Sequence, residues 1–176
     1  MVPHPPRIKN RLPDYDYSQD GFYFVTICTK NHIKCFGKIT NGEMRLNEFG
    51  EIAKQRWLWM AQHFDFVQLD EFCIMPNHLH GIIIINRDNS VATTLEVSLQ
   101  RQPQTDKQRR NNLLSKTIAA FKTTASKYIH KAGFDKFKWQ RSFYDHVIRN
   151  EKSLLEIREY IRNNPLKWDL DKYHSG

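Results

Sequence analysis

A chain of 176 residues with 40% hydrophobic side chains is long enough to close a core of its own. It holds no apolar run near the roughly 20 residues a membrane-spanning helix needs and no apolar signal region at its start, so the reading is a cytoplasmic protein with no membrane partner. The formal net charge of +8 suits a polyanionic partner, and Cys28, Cys35 and Cys73, an odd set without metal-like spacing, read as reduced and structural.

The first twelve residues are proline-rich and basic. Arg7, Lys9 and Arg11 make them an arm able to lie along phosphates. Residues 22–29 read as a first strand and 34–39 as its hairpin partner, with Asn41-Gly42 a turn signal just beyond. Residues 47–64 carry Phe49, Ile52, Ala53, Trp57 and Met60 on one broad apolar side, the mark of an amphipathic helix. Two more strands are predicted at 66–74 and 77–86. The second opens on Met75-Pro76-Asn77-His78-Leu79-His80-Gly81 and runs into four isoleucines, as a strand buried on both faces does. Side chains two apart on a strand share a face, so His78 and His80 form a converging pair of imidazoles, half of a divalent-metal site.

Residues 87–112 are polar, with Arg101, Lys107, Arg109 and Arg110, and read as a mobile insertion loop. A second helix is predicted over 113–132 and a last strand over 136–147. That strand begins by interleaving cations and aromatics as single-strand grooves do, which makes Lys138, Trp139 and Arg141 candidate nucleic-acid contacts. Its alternation also fits a half-buried strand, so some of these rings belong to the core. Residues 150–164 read as a final helix, N-capped by Asn150, with Leu154, Ile157 and Ile161 as its apolar stripe and Pro165 restricting Asn164 to end it. Tyr160 and Asn164 stand four apart and therefore share a face. The order β-β-α-β-β-α-β-α implies an α+β layer on an antiparallel sheet.

Five ordered motifs carry a resemblance: Asp16-Tyr17-Ser18, Tyr23-Phe24-Val25-Thr26-Ile27-Cys28-Thr29, Met75-Pro76-Asn77-His78-Leu79-His80, Trp139-Gln140-Arg141-Ser142-Phe143-Tyr144-Asp145-His146 and Tyr160-Ile161-Arg162-Asn163-Asn164-Pro165. Together they resemble the REP-associated tyrosine transposases, single-tyrosine members of the HUH superfamily, from about Arg11 to Trp168. The long polar segment before Asn112 and the short C-terminal tail depart from the pattern. The resemblance implies a ferredoxin-like (RRM-like) fold in one domain, 13–168, between the arm 1–12 and a tail 169–176. It further implies a metal-dependent single-strand DNA endonuclease and strand transferase acting on hairpin-forming repetitive extragenic palindromes. Tyr160 would be the nucleophile, forming a 5′-phosphotyrosine intermediate, with Tyr144 the runner-up. His78, His80 and Asn164 would bind magnesium or manganese. The partner would be single-stranded DNA with an adjacent hairpin, and the protein a monomer or homodimer. A second reading is a non-catalytic RNA- or DNA-hairpin-binding domain on the same sheet; the presence of all four site residues favours the enzyme.

Overall fold

The computed structural model describes residues 20–87, 113–171 and 173–174. Arg7, Lys9, Arg11 and nearly all of the predicted insertion lie outside the described residues. In chain order the elements are β1 (Gly21–Cys28), β2 (Gly37–Thr40), β3 (Glu43–Leu46), α1 (Glu48–His63), β4 (Val67–Ile74), β5 (His78–Ile85), α2 (Leu113–Lys131), β6 (Tyr144–Ile148) and α3 (Glu151–Asn163), followed by a 3-10 run, Pro165–Leu170. Four strands form one sheet in the order β4-β5-β1-β6, every neighbouring pair antiparallel.

Period-two alternation divides each central strand between two cores. On one face Leu79, Ile83 and Ile85 of β5 join Tyr23, Val25 and Ile27 of β1 beneath Trp57 of α1 and Phe121 of α2. On the other, Phe22, Ile82 and Ile148 pack under Leu154 and Ile161 of α3. Helices thus cover both sides of the sheet, which is why β5 is isoleucine on both faces. Gly81 is the exception on that strand: a Cβ there would stand 2.4 Å from Cζ2 of Trp57, so only glycine lets the indole of α1 lie on the strand. Helix α1 starts where the sequence predicts, with the Asn47 side chain accepting from Gly50 N at 3.0 Å.

Three local expectations fail. Residues 34–39 do not pair with the first strand. β1 already has β5 and β6 on its two sides, and the Asn41-Gly42 turn, with φ of +53° and +75°, folds β2 onto β3 instead. The amides of Cys35 and Phe36 donate to the Pro76 carbonyl. The strand predicted over 136–147 is only Tyr144–Ile148; before it the chain is irregular and meets β1 through a single bridge, Thr29 to Trp139. Nor does Pro165 drive Asn164 out of the helical region. Asn164 stays at φ −59°, ψ −42°, and Pro165, with no amide proton to donate, opens the 3-10 run. Among the described residues no helix is long and apolar enough to cross a membrane.

Candidate functional site

His78 and His80 project from β5 toward the α3 side, both sealed from solvent. Asn77 Nδ2 donates to the carbonyls of His32 at 3.2 Å and Tyr173 at 2.7 Å, which turns its Oδ1 toward His78 Nδ1 at 2.8 Å. His78 therefore carries its proton on Nδ1 and leaves a lone pair on Nε2. His80 sits across from Thr26 in the sheet, with Nδ1 2.8 Å from Thr26 Oγ1. The two Nε2 atoms are 3.0 Å apart. Lone pairs at that distance repel unless a proton or a cation lies between them.

Helix α3 brings the tyrosine to this pair. Asn150 caps it, accepting from Ser153 N at 2.8 Å, and Leu154 and Ile161 anchor it on the sheet. Arg158 forks onto Asp70 with contacts of 2.6 to 3.1 Å, and Arg162 Nε donates to Glu71 Oε1 at 3.0 Å. Consecutive residues of a regular strand point to opposite faces. The register shift between Leu69 and Phe72 of β4 is what allows Asp70 and Glu71 both to serve the helix. Docked in this way, α3 holds the Tyr160 hydroxyl 3.2 Å from His80 Nε2 while leaving the residue 41% exposed.

Asn164, one turn on, is buried; its Nδ2 donates to Asp171 Oδ2 at 3.0 Å. Its Oδ1 is buried with no hydrogen-bond partner among the described residues, an acceptor aligned for something the protein does not supply. The sequence places Asp171 in the tail. The 3-10 run buries Trp168 and turns the chain back, so that Asp171 Oδ2 comes to 4.0 Å from His78 Nε2 and Oδ1 accepts from Tyr173 N at 2.7 Å. His78, His80 and Asp171 each offer a ligand atom within 4.8 Å of the others and could hold a metal ion. No local signal in Asp169-Leu170-Asp171 distinguishes it from a solvated turn. Only the return of the chain does.

Burial pushes the Tyr160 phenol up to about 12, with the negative Asp171 and the neighbouring Tyr173 adding to it and a hydrogen bond with Asn164 opposing it. Tyr173, stacked on His32 and 4.8 Å from the His78 ring, is also raised to about 12, mainly by burial. A phenolate in this pocket thus requires a compensating positive charge. Tyr144 shares the sheet row of His80 and Thr26, one strand further out. Lys138 and Arg141 are exposed, while Trp139 is half-buried against Phe36, Phe121 and Phe137; none of the three joins the metal cluster.

No family model matches the chain. A Haemophilus influenzae protein described as uncharacterized is 41% identical over 164 residues, which span 93% of this chain and 91% of that protein. A second protein of that organism, described as a "Putative REP-associated tyrosine transposase", is 29% identical over 170 residues, 90% of this chain and 83% of its own length. Among solved structures, that of a REP-associated tyrosine transposase bound to a REP hairpin superposes with a TM-score of 0.54 at 17% identity, covering 92% of this chain and 76% of that one. These likenesses cover nine-tenths or more of this chain. The chain is thus similar to the REP-associated tyrosine transposases.

Proposed function

We propose that this protein is a metal-dependent single-strand DNA endonuclease and strand transferase, acting in the cytoplasm on hairpins of repetitive extragenic palindromes. The observation that carries the reading is the convergence of the Tyr160 hydroxyl and His78 Nε2 on His80 Nε2, both within 3.2 Å of it. The hairpin-bound structure of a relative supports the substrate class. The strand order β4-β5-β1-β6, with α1 and α2 as the crossovers, supports a ferredoxin-like (RRM-like) fold of β-α-β-β-α-β connectivity.

His78, His80 and the Asn164 oxygen would hold magnesium or manganese, ions that take octahedral shells rich in oxygen. Asp171 adds the anionic ligand that two imidazoles and an amide lack. When bound, the ion draws charge from the non-bridging oxygens of the scissile phosphate and favours the phenolate. Tyr160 Oη attacks phosphorus; the Oη–P bond forms and the P–O3′ bond breaks. The phenolic proton leaves to solvent and the departing oxygen is protonated to a 3′-hydroxyl. The 5′-phosphotyrosine keeps the energy of the phosphodiester, so a 3′-hydroxyl can reverse the step without ATP. Tyr160 meets the histidines of its own chain, so a monomer suffices for this chemistry. The test is a denaturing gel of labelled DNA hairpin with a single-stranded flank, in magnesium or manganese. A covalent adduct is expected. Hairpin binding with no adduct at any metal concentration would leave a binding module instead.

A further inference from the structure

Tyr173 lies beyond the 3-10 run, in the segment the sequence assigns to the tail, yet it touches the supports of both histidines. Its ring stacks on His32 and lies 4.8 Å from the His78 ring and 6.1 Å from that of His80. Through its backbone it reaches His78. The Asn77 amide has two N–H donors, and the carbonyls of Tyr173 and His32 take one each, at 2.7 and 3.2 Å. Turned over, that amide would set its oxygen against two carbonyl oxygens, so Oδ1 stays on His78 Nδ1. Through its side chain Tyr173 reaches His80. Its phenol is hydrogen-bonded to Thr26, whose Oγ1 lies 2.8 Å from His80 Nδ1. Thr26 is buried, so bulk water does not compete for its hydroxyl.

We propose that Tyr173 is a positioning residue that keeps both histidines in the tautomer a metal ion needs, its carbonyl acting on His78 through Asn77 and its hydroxyl on His80 through Thr26. The role rests on the metal-centre reading above. A histidine ligates through a nitrogen lone pair, and the hydrogen bond made by one ring nitrogen decides whether the other is free. A threonine hydroxyl has one proton and can accept as well as donate. Aimed at Tyr173 Oη, the Thr26 proton leaves an oxygen lone pair for His80 Nδ1–H, and Nε2 is then free on the side where Tyr160 stands. Without the phenol oxygen the same proton turns to Nδ1, the His80 proton moves to Nε2, and the lone pair is lost from the metal side. Tyr160 and Tyr173 thus divide the His80 ring between them, one hydroxyl at Nε2 and the other, through Thr26, behind Nδ1.

The experiment titrates manganese calorimetrically into the whole protein: the wild type, Thr26→Val, Tyr173→Phe, the double variant and Thr26→Ser. Thermal unfolding by circular dichroism verifies each fold. Thr26→Val and Tyr173→Phe each keep the shape of the side chain and lose its hydroxyl. Each should weaken manganese binding about tenfold, the low end for losing a partner that supports a ligand. Because the two hydroxyls act in series on one nitrogen, the double variant should bind within about twofold of the weaker single variant. Thr26→Ser, which restores the hydroxyl, should bind within about twofold of the wild type. Unchanged affinity in Tyr173→Phe, losses that multiply in the double variant, or a Thr26→Ser protein as weak as Thr26→Val would overturn the role while leaving the metal centre standing. If Thr26→Val does not fold, Tyr173→Phe decides by itself, a tenfold loss supporting the role and an unchanged affinity overturning it. Failure of the wild type to take up manganese would overturn the metal-centre reading itself.

Discussion

At the scale of single residues, the proposed chemistry depends on one oxygen and its electrostatic surroundings. Tyr160→Phe removes that oxygen and almost no contact area, so the covalent adduct should vanish from a denaturing gel while hairpin affinity stays within twofold. An adduct that persists in this variant and disappears in Tyr144→Phe would transfer the nucleophile to β6. The Tyr160 phenol, held near 12 by burial and by Asp171, should remain inert when the ion is chelated. Asp171 accepts from the Asn164 amide and, in the proposed metal centre, would add negative charge to the shell. Asp171→Ala should therefore weaken manganese binding by roughly 10- to 100-fold, the range seen when ligands lose their supporting partners. Calorimetric titration of the metal into free protein reads this directly, and unchanged affinity would remove Asp171 from the centre.

The elements turn these side chains into a site. Arg158 and Arg162 stand one turn apart on α3 and reach two consecutive carboxylates of β4, a match that depends on the bulge between Leu69 and Phe72. The Arg158–Asp70 pair is the more enclosed, with side chains 28% and 13% exposed, and its fork gives directional as well as Coulombic hold. Arg158→Ala should cost about 2 kcal/mol in urea unfolding, between the values for surface and buried pairs. It should lower adduct formation more than hairpin binding, because α3 carries Tyr160, the proposed nucleophile. Lysine at this position keeps the charge but not the fork and should recover only part of the loss. On the opposite face, Gly81→Ala drives a methyl group into Trp57 and should destabilise by about 1–3 kcal/mol. A neutral result in urea would mean that α1 can slide on β5.

For the molecule as a whole, a basic chain with a helix-held tyrosine predicts that substrate form matters. The reach of Tyr160 is short, and a regular duplex holds each phosphate on a fixed path. A hairpin with a single-stranded flank should be cut and the same sequence as perfect duplex left intact on the gel; equal cleavage of both would contradict a site designed for single strands. Much of this architecture was legible in the residues. The helix beginning at Asn47, the doubly buried isoleucine strand and the same-face histidines follow from short-range rules of capping and alternation. The face shared by Tyr160 and Asn164 follows from helical spacing. The failures share one cause. Whether residues 34–39 pair with β1 depends on which strands already flank it, and whether Trp139 belongs to a strand depends on a core assembled from α2 and the β2 approach. Asp171 reaches His78 because Trp168 is buried first and the chain must turn back over it. Local spacing, then, determined which side chains could act together on one element. Tertiary packing alone decided which elements meet, because pairing and burial are competitions among segments far apart in the chain, and it placed a carboxylate from the end of the chain beside two histidines from its middle.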